Sequence, residues 1–275
     1  MESMKRRLRF DGLWYPSDKN ELDKLVLFNP VKDNNSVYGV VPHAGLCYAG
    51  KLIKLFFSTL SPKINKMILL TPSHYYSLEN NIVGSGNFSS FETSYTDIEG
   101  FTLPLFHQGY EQVTNAEHAV EMILPYIAQR ENIKLCCAHI NRFTDVNIAT
   151  DYAKKILSNI DDNTAILASS DFTHYGTNFS YTPYGNIISD EVVNKVTTYD
   201  KDIAKGLLNG DGQSTYIKTV KDHATICGIA PMLIVSEMAR LKNMKGKILG
   251  QSNSLISPSL DKNFVSYISM CWREN

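Results

Sequence analysis

The chain has 275 residues, 43% of them hydrophobic, which is enough for one sizeable α/β domain, and nothing marks a linker or a repeat. Lys plus Arg number 27 and Asp plus Glu 28, so no basic field favours nucleic acid or anionic lipid. The first residues lack the apolar core of a signal peptide, and no stretch reaches the roughly 20 apolar residues of a membrane span; the expectation is a cytoplasmic protein. Five cysteines without a CxxC pair fit a reducing compartment and exclude zinc-ribbon and thioredoxin-like readings.

In chain order, Lys5-Arg6-Arg7 reads as a solvated terminus. Asp18 and Glu21 have capping-box spacing ahead of an amphipathic run. Strands are then expected at 37–41, 66–70, 133–138 and 164–168, and helices at 49–60, 117–130, 146–160 and 191–208. Near-continuous apolar strands alternating with helices argue for a sheet covered by helices on both faces. The Ser-, Thr-, Gly- and aromatic-rich stretch 82–103 reads as short antiparallel strands or an extended excursion. Two more strands, 247–254 and 264–272, flank a polar loop containing Pro258. The predicted architecture is a single domain over 1–275 with a mixed, mostly parallel sheet.

Four of these strands end in one grammar. "GVVPHAG" delivers His43, "LLTPSH" delivers His74, "AILASSDFTH" delivers Asp171 and His174, and "LCCAHI" ends near His139. In a parallel sheet such C-terminal ends share one edge, where ligands bind in α/β folds. "TICGIAP" places Cys227 just before or within the first turn of a helix around 232–241, where partial positive charge favours thiolate, a nucleophile and a soft metal ligand. A lone histidine is more often a hydrogen-bonded turn residue, but the shared Pro-and-small-residue context of His43 and His74 reverses that preference.

Asp171 and His174 form a carboxylate and imidazole pair if the chain turns helically between them; otherwise Asp171 caps a turn. Thr114 and Glu117 match a capping box, which accounts for Glu117 without function. His118 falls off the apolar stripe, with solvent and site equally open to it. Cys47, Cys136, Cys137 and Cys271 read as core, and His107, His139 and His223 as weaker candidates.

Taken together and in this order, "GLWYPSD", "VPHAGLCYAG", "LLTPSHYYSL", "AEHAVEMILPYIAQ", "SSDFTHYG" and "HATICGIAPM" closely resemble the Memo family (mediator of cell motility). Prokaryotic members are known as the Memo-like component of a system with an AMMECR-type and a radical SAM protein. The resemblance covers essentially the whole chain. It implies a fold similar to the class III extradiol dioxygenases (LigB-like), and a pocket where two histidines and a cysteine can hold iron or copper. Those positions fall on His43, His74 and Cys227, with Asp171 and His174 beside them. Two departures stand out. Ile229-Ala230 replaces the Arg-His that animal relatives carry after Cys-Gly, and a thiolate stands where the dioxygenases have a glutamate ligand, so ring cleavage is not expected.

Three functions compete at this level. The first is a redox protein binding Fe(II) or copper, with dioxygen or a small molecule at the open positions and zinc as a redox-inert occupant. The second is a scaffold binding a peptide or a protein partner without turnover. The third is a hydrolase with Cys227 as nucleophile, His174 or His43 as base and Asp171 orienting it.

Overall fold

A computed structural model describes residues 4–32, 34–256 and 261–273. Four strands form the centre of a single mixed sheet, in the order Lys134–His139, Lys66–Thr71, Thr164–Ser169 and Ser36–Val41. All run parallel. Their residues are buried almost without interruption, which means both faces are covered and explains why they read as unbroken apolar runs rather than alternating ones. Asn263–Arg273 adds antiparallel to Ser36–Val41, and Lys245–Asn253 pairs outside it. On the other side, Ile98–Gly100, Ser90–Phe91 and Lys5–Arg6 extend the sheet in short steps.

The helices that pack on this sheet follow the predicted pattern, with ends shifted by a few residues: Leu46–Thr59, Asn147–Leu157, Asp190–Leu208 and Ile229–Leu241. Asp18 caps the first helix, accepting the Glu21 N–H at 3.0 Å. Gly212–Lys221 is a further helix that the pattern did not single out. Pro258 lies outside the described residues, as do the other residues of 257–260.

Gly39, mid-strand, is required by packing. A Cβ there would lie 2.1 Å from Cε2 of Phe56, a ring that is itself fully buried. Gly39→Ala is therefore expected to lower unfolding stability by about 1–3 kcal/mol, the usual cost of overpacking, in a urea titration. A midpoint unchanged from wild type would show that Phe56 has room to move.

Four expectations need correction here. Lys5-Arg6-Arg7 is not simply a solvated terminus, since the Arg6 side chain is fully buried and ion-paired with the equally buried Glu121 at 2.6 Å. The expected helix over 117–130 is interrupted at 122–123, just ahead of Pro125, into His118–Glu121 and Leu124–Ile127, and a separate short helix, Glu111–Ala116, precedes it. Within that short helix Thr114 makes no capping box; its hydroxyl meets Tyr110 O and His139 Nε2, and Glu117 is itself the cap, accepting from Ala119 N at 3.0 Å. Cys47 is exposed rather than core, because it lies on the outer side of the first turn of Leu46–Thr59.

Candidate metal centre at the carboxyl edge of the sheet

Strand register brings the site together. Val41 pairs with Ser169, so the chain positions two residues beyond each, His43 and Asp171, emerge side by side. The His43 N–H donates to Asp171 Oδ1 at 2.9 Å. His74 follows Thr71, the end of the next strand but one, and its imidazole centroid lies 5.0 Å from that of His43. His118, at the start of the short turn after the helix break, completes the cluster, its ring 4.4 Å from His74 and 5.2 Å from His43. Among the described residues, the donor atoms of His43, His74 and His118 all lie within 4.8 Å of one another.

Each imidazole is held from behind. Ser169 gives its hydroxyl hydrogen to Ala119 O at 3.3 Å and so accepts from His43 Nδ1 at 2.9 Å, which makes Nε2 the lone-pair atom of His43, facing Cys227 Sγ. His74 Nδ1 donates to Glu117 Oε1 at 2.8 Å and its backbone N–H to Oε2 at 2.7 Å, which frees Nε2 in the same way. His118 Nδ1 lies 3.2 Å from Glu117 Oε1 but out of line, and this buried nitrogen has no hydrogen-bond partner. Trp14, at 4.4 Å, and Tyr75 and Phe10 at its edges bury the His118 ring.

Charge follows from these surroundings. Burial, reinforced by repulsion among the imidazoles, holds His43 well below the ordinary histidine range. Burial likewise lowers His118, to about 4, against the opposing pull of Glu117. Both are neutral lone-pair donors at physiological pH. Burial pushes the Glu117 carboxyl up, but the hydrogen bond and charge of His74 and the charge of His118 outweigh it and hold the group at about 2. A buried, ionised carboxylate thus backs one ligand-type imidazole directly and lies against a second, the arrangement that fixes tautomers in metal sites.

Cys227 immediately precedes Gly228, the N-cap of Ile229–Leu241. Gly228 has no space for a side chain: a Cβ would lie 2.5 Å from Ser170 Cβ, and this close approach seats Cys227 on the strand end. Its Sγ lies 3.3 Å from His43 Nε2 and accepts the Asp171 N–H at 3.2 Å. Among the described residues it touches His43 of the three imidazoles but stands outside the mutually close donor group. These surroundings oppose the expected thiolate. Burial and then the Asp171 carboxylate push the thiol well up, and the Asp171 N–H and Ser170 hydroxyl only partly offset them.

Asp171 and His174 do not share a helix; the chain stays extended and His174–Gly176 pairs with Asn263–Arg273. Both nevertheless line one pocket of about 660 Å³ with His43, His74, His118, Trp14 and Tyr267. His174 Nδ1 donates to Thr225 O at 2.8 Å and Phe172 O at 3.0 Å, so its Nε2 is the proton-accepting atom. Burial raises the Asp171 carboxyl, with the His174 charge opposing.

The weaker candidates resolve by position. His139 is fully buried between the Thr71 and Thr114 hydroxyls, both at 2.8 Å, and serves packing. His107 is exposed on a short strand, and His223 is exposed with φ 50°. Sequence reasoning missed Ser169 and the directing part played by Glu117, and left His118 undecided. A visible signal existed, since Glu121 sits inside the apolar run Val120, Met122, Ile123, and a charge there demands a buried partner.

Two parallel strands of a doubly covered α/β sheet thus deliver His43 and His74 to one edge, where His118 and Cys227 join them from the starts of two helical segments. The Memo-like protein family matches residues 6–271, and the chain belongs to that family. It is 26% identical to a MEMO1 family protein of Aquifex aeolicus over 94% of this chain and 96% of that one. It is also 26% identical to the Protein memo-1 homolog of Caenorhabditis elegans, over 83% of this chain and 69% of the other. Protein MEMO1 of Rattus norvegicus is 27% identical over 83% of this chain and 82% of its own length.

Proposed function

We propose that the pocket holds a transition-metal ion, Fe(II) or copper, for redox chemistry on a small molecule. The observation that carries this reading is the set of imidazole donors in mutual reach, with the Nδ1 atoms of His43 and His74 already engaged behind them. His43 Nε2 and His74 Nε2 would hold the ion. Cys227 Sγ would join them by giving up its proton, the usual exchange when a thiol meets a metal. A nitrogen and a sulfur bound to one ion at about 2.0 and 2.3 Å stand roughly 3.6 Å apart, close to the 3.3 Å seen here. His118 offers a further nitrogen. Zinc fits the same donors and would make the centre redox-inert.

A bound ion of this kind supplies electron exchange and open positions for dioxygen or a small substrate. The chain supplies the rest. His174 takes up and returns a proton at Nε2, Asp171 fixes the His43 backbone, and Trp14, Phe10 and Tyr75 cover the His118 ring. A nucleophilic thiolate draws no support from the geometry, since the Cys227 thiol is buried beside a carboxylate rather than a cation.

Anaerobic purification with elemental analysis tests the reading. Wild type should carry near-stoichiometric iron or copper, and folded His43→Ala, His74→Ala and Cys227→Ala should lose it. A wild type that takes up no metal under reducing conditions would sink the proposal and leave binding of a peptide or protein partner in its place. Retention by Cys227→Ala with loss in His118→Ala would move the third donor to His118.

A further inference from the structure

The structure assigns Arg6 the role of a positioning residue for the proposed metal site, acting through the helix break at Glu117; the assignment rests on the metal reading above. The pattern of 117–130 favours a helix that includes Glu117, yet Glu117 stands between a helix that ends at Ala116 and one that starts at His118. Between them Glu117 is extended, with φ −80° and ψ 117°. A break of this kind strips carbonyls of their helical N–H partners, and buried carbonyls left so are costly.

Arg6 supplies the donor that Thr114 O has lost and adds a second hydrogen bond to Glu117 O. Its Nε donates to Thr114 O and its Nη2 to Glu117 O, both at 3.2 Å, while Nη1 donates to Glu121 at 2.6 Å. One planar guanidinium therefore spans both sides of the break, a task its fork geometry suits and an ammonium does not. Glu121 is fixed in turn by Arg9 N, Phe10 N and Tyr15 Oη, at 2.8 to 3.0 Å. Arg6 itself lies in a strand that pairs in parallel with Ser90–Phe91, so the sheet edge anchors the whole clamp.

The consequence reaches the site through a single residue. Extended Glu117 aims its carboxylate at His74 Nδ1, caps Ala119 N and starts the turn that carries His118. In a continuous helix Glu117 would have helical backbone angles and its carboxylate would leave His74. The buried ion pair is thus the device that holds an otherwise helical sequence in the conformation the site needs.

Arg6→Lys in the full chain separates this role from simple charge neutralisation, because lysine can pair with Glu121 without bridging the two carbonyls. Two readouts apply: Zn(II) affinity by competition with a chromophoric chelator under reducing conditions, and the NMR signal of the His74 Nδ1–H proton bonded to Glu117. Arg6→Lys is expected to unfold cooperatively, to bind Zn(II) about 10 to 100-fold more weakly, and to lose or shift the His74 Nδ1–H signal. Wild-type affinity and signal in the folded variant overturn the assignment. So does a lysine variant that does not fold, since Arg6 would then hold the fold rather than the turn. A wild type with no Zn(II) affinity refutes the metal reading instead, and the NMR signal still judges the link from Arg6 to His74.

Discussion

Glu117→Gln is expected to weaken metal binding about 10 to 100-fold, the usual cost of removing a carboxylate behind a ligating histidine. Both oxygens of Glu117 are in use. Oε2 accepts the His74 N–H, and Oε1 accepts from His74 Nδ1 and Ala119 N. A glutamine keeps one acceptor and turns a donor toward groups that also donate, so at least one buried N–H loses its partner. That adds about 1–3 kcal/mol of lost stability. The free His74 ring can then take the other tautomer or turn, and its Nε2 no longer faces His43. Chelator competition reads the affinity and urea unfolding the stability. A variant that loses stability but binds metal as tightly as wild type would show that Glu117 braces the fold alone.

The second large effect is acid sensitivity without metal. Burial holds His139 at about 4, against 6.5 for an ordinary histidine. The folded chain therefore refuses a proton that the unfolded chain accepts. The stability this group contributes is complete above about pH 6.5, declines as pH falls, and is gone below about pH 4. A gap of about 2.5 units amounts to about 3 kcal/mol. His118 is lowered to the same level and acts in the same direction. Asp200 opposes them. Burial raises its carboxyl to about 6 despite hydrogen bonds from Thr173 and Ser266, so it adds stability at low pH and withdraws it as pH rises through 6. His43 is lowered as well and Asp171 raised; three histidines outweigh two carboxyls, and the apo chain should weaken steadily from pH 6.5 to 4. His139→Gln, able to bond both threonines without titrating, should lose about 3 kcal/mol less across that window. Equal slopes for the variant and wild type in urea titrations would remove His139 as a cause.

The Arg6 clamp connects these results. Breaking a buried ion pair by removing one partner typically costs about 3–5 kcal/mol, because the other charge is left uncompensated. Here the pair also keeps the Glu117 turn out of a helix, so stability and metal affinity share a residue without being the same property. The lysine exchange and Glu117→Gln approach the one hydrogen bond to His74 from opposite ends. Agreement between them would locate the coupling at Glu117.

Much of this molecule was legible from local pattern. The four central strands, their shared edge and the arrival there of His43, His74, Asp171 and His174 follow from apolar runs, Pro-and-small-residue endings and the rule that parallel strands point one way. Cys227 before a helix was equally readable. The path of 111–127, the burial of Arg6 and the entry of His118 were not, because each depends on a partner about a hundred residues away. The pattern of 117–130 spoke for a helix that includes Glu117; the structure instead holds Glu117 extended with its carbonyl on the Arg6 guanidinium, and Pro125 interrupts the helix further on. The protonation of Cys227 was likewise decided by packing, since depth of burial and the Asp171 carboxylate outweigh a favourable helix start. Sequence by itself determined which side chains reach the edge, since strand direction is a local property. Only the tertiary structure decided which of them face one another and in what charge state, because register, burial and long-range hydrogen bonds exist only once the chain has closed.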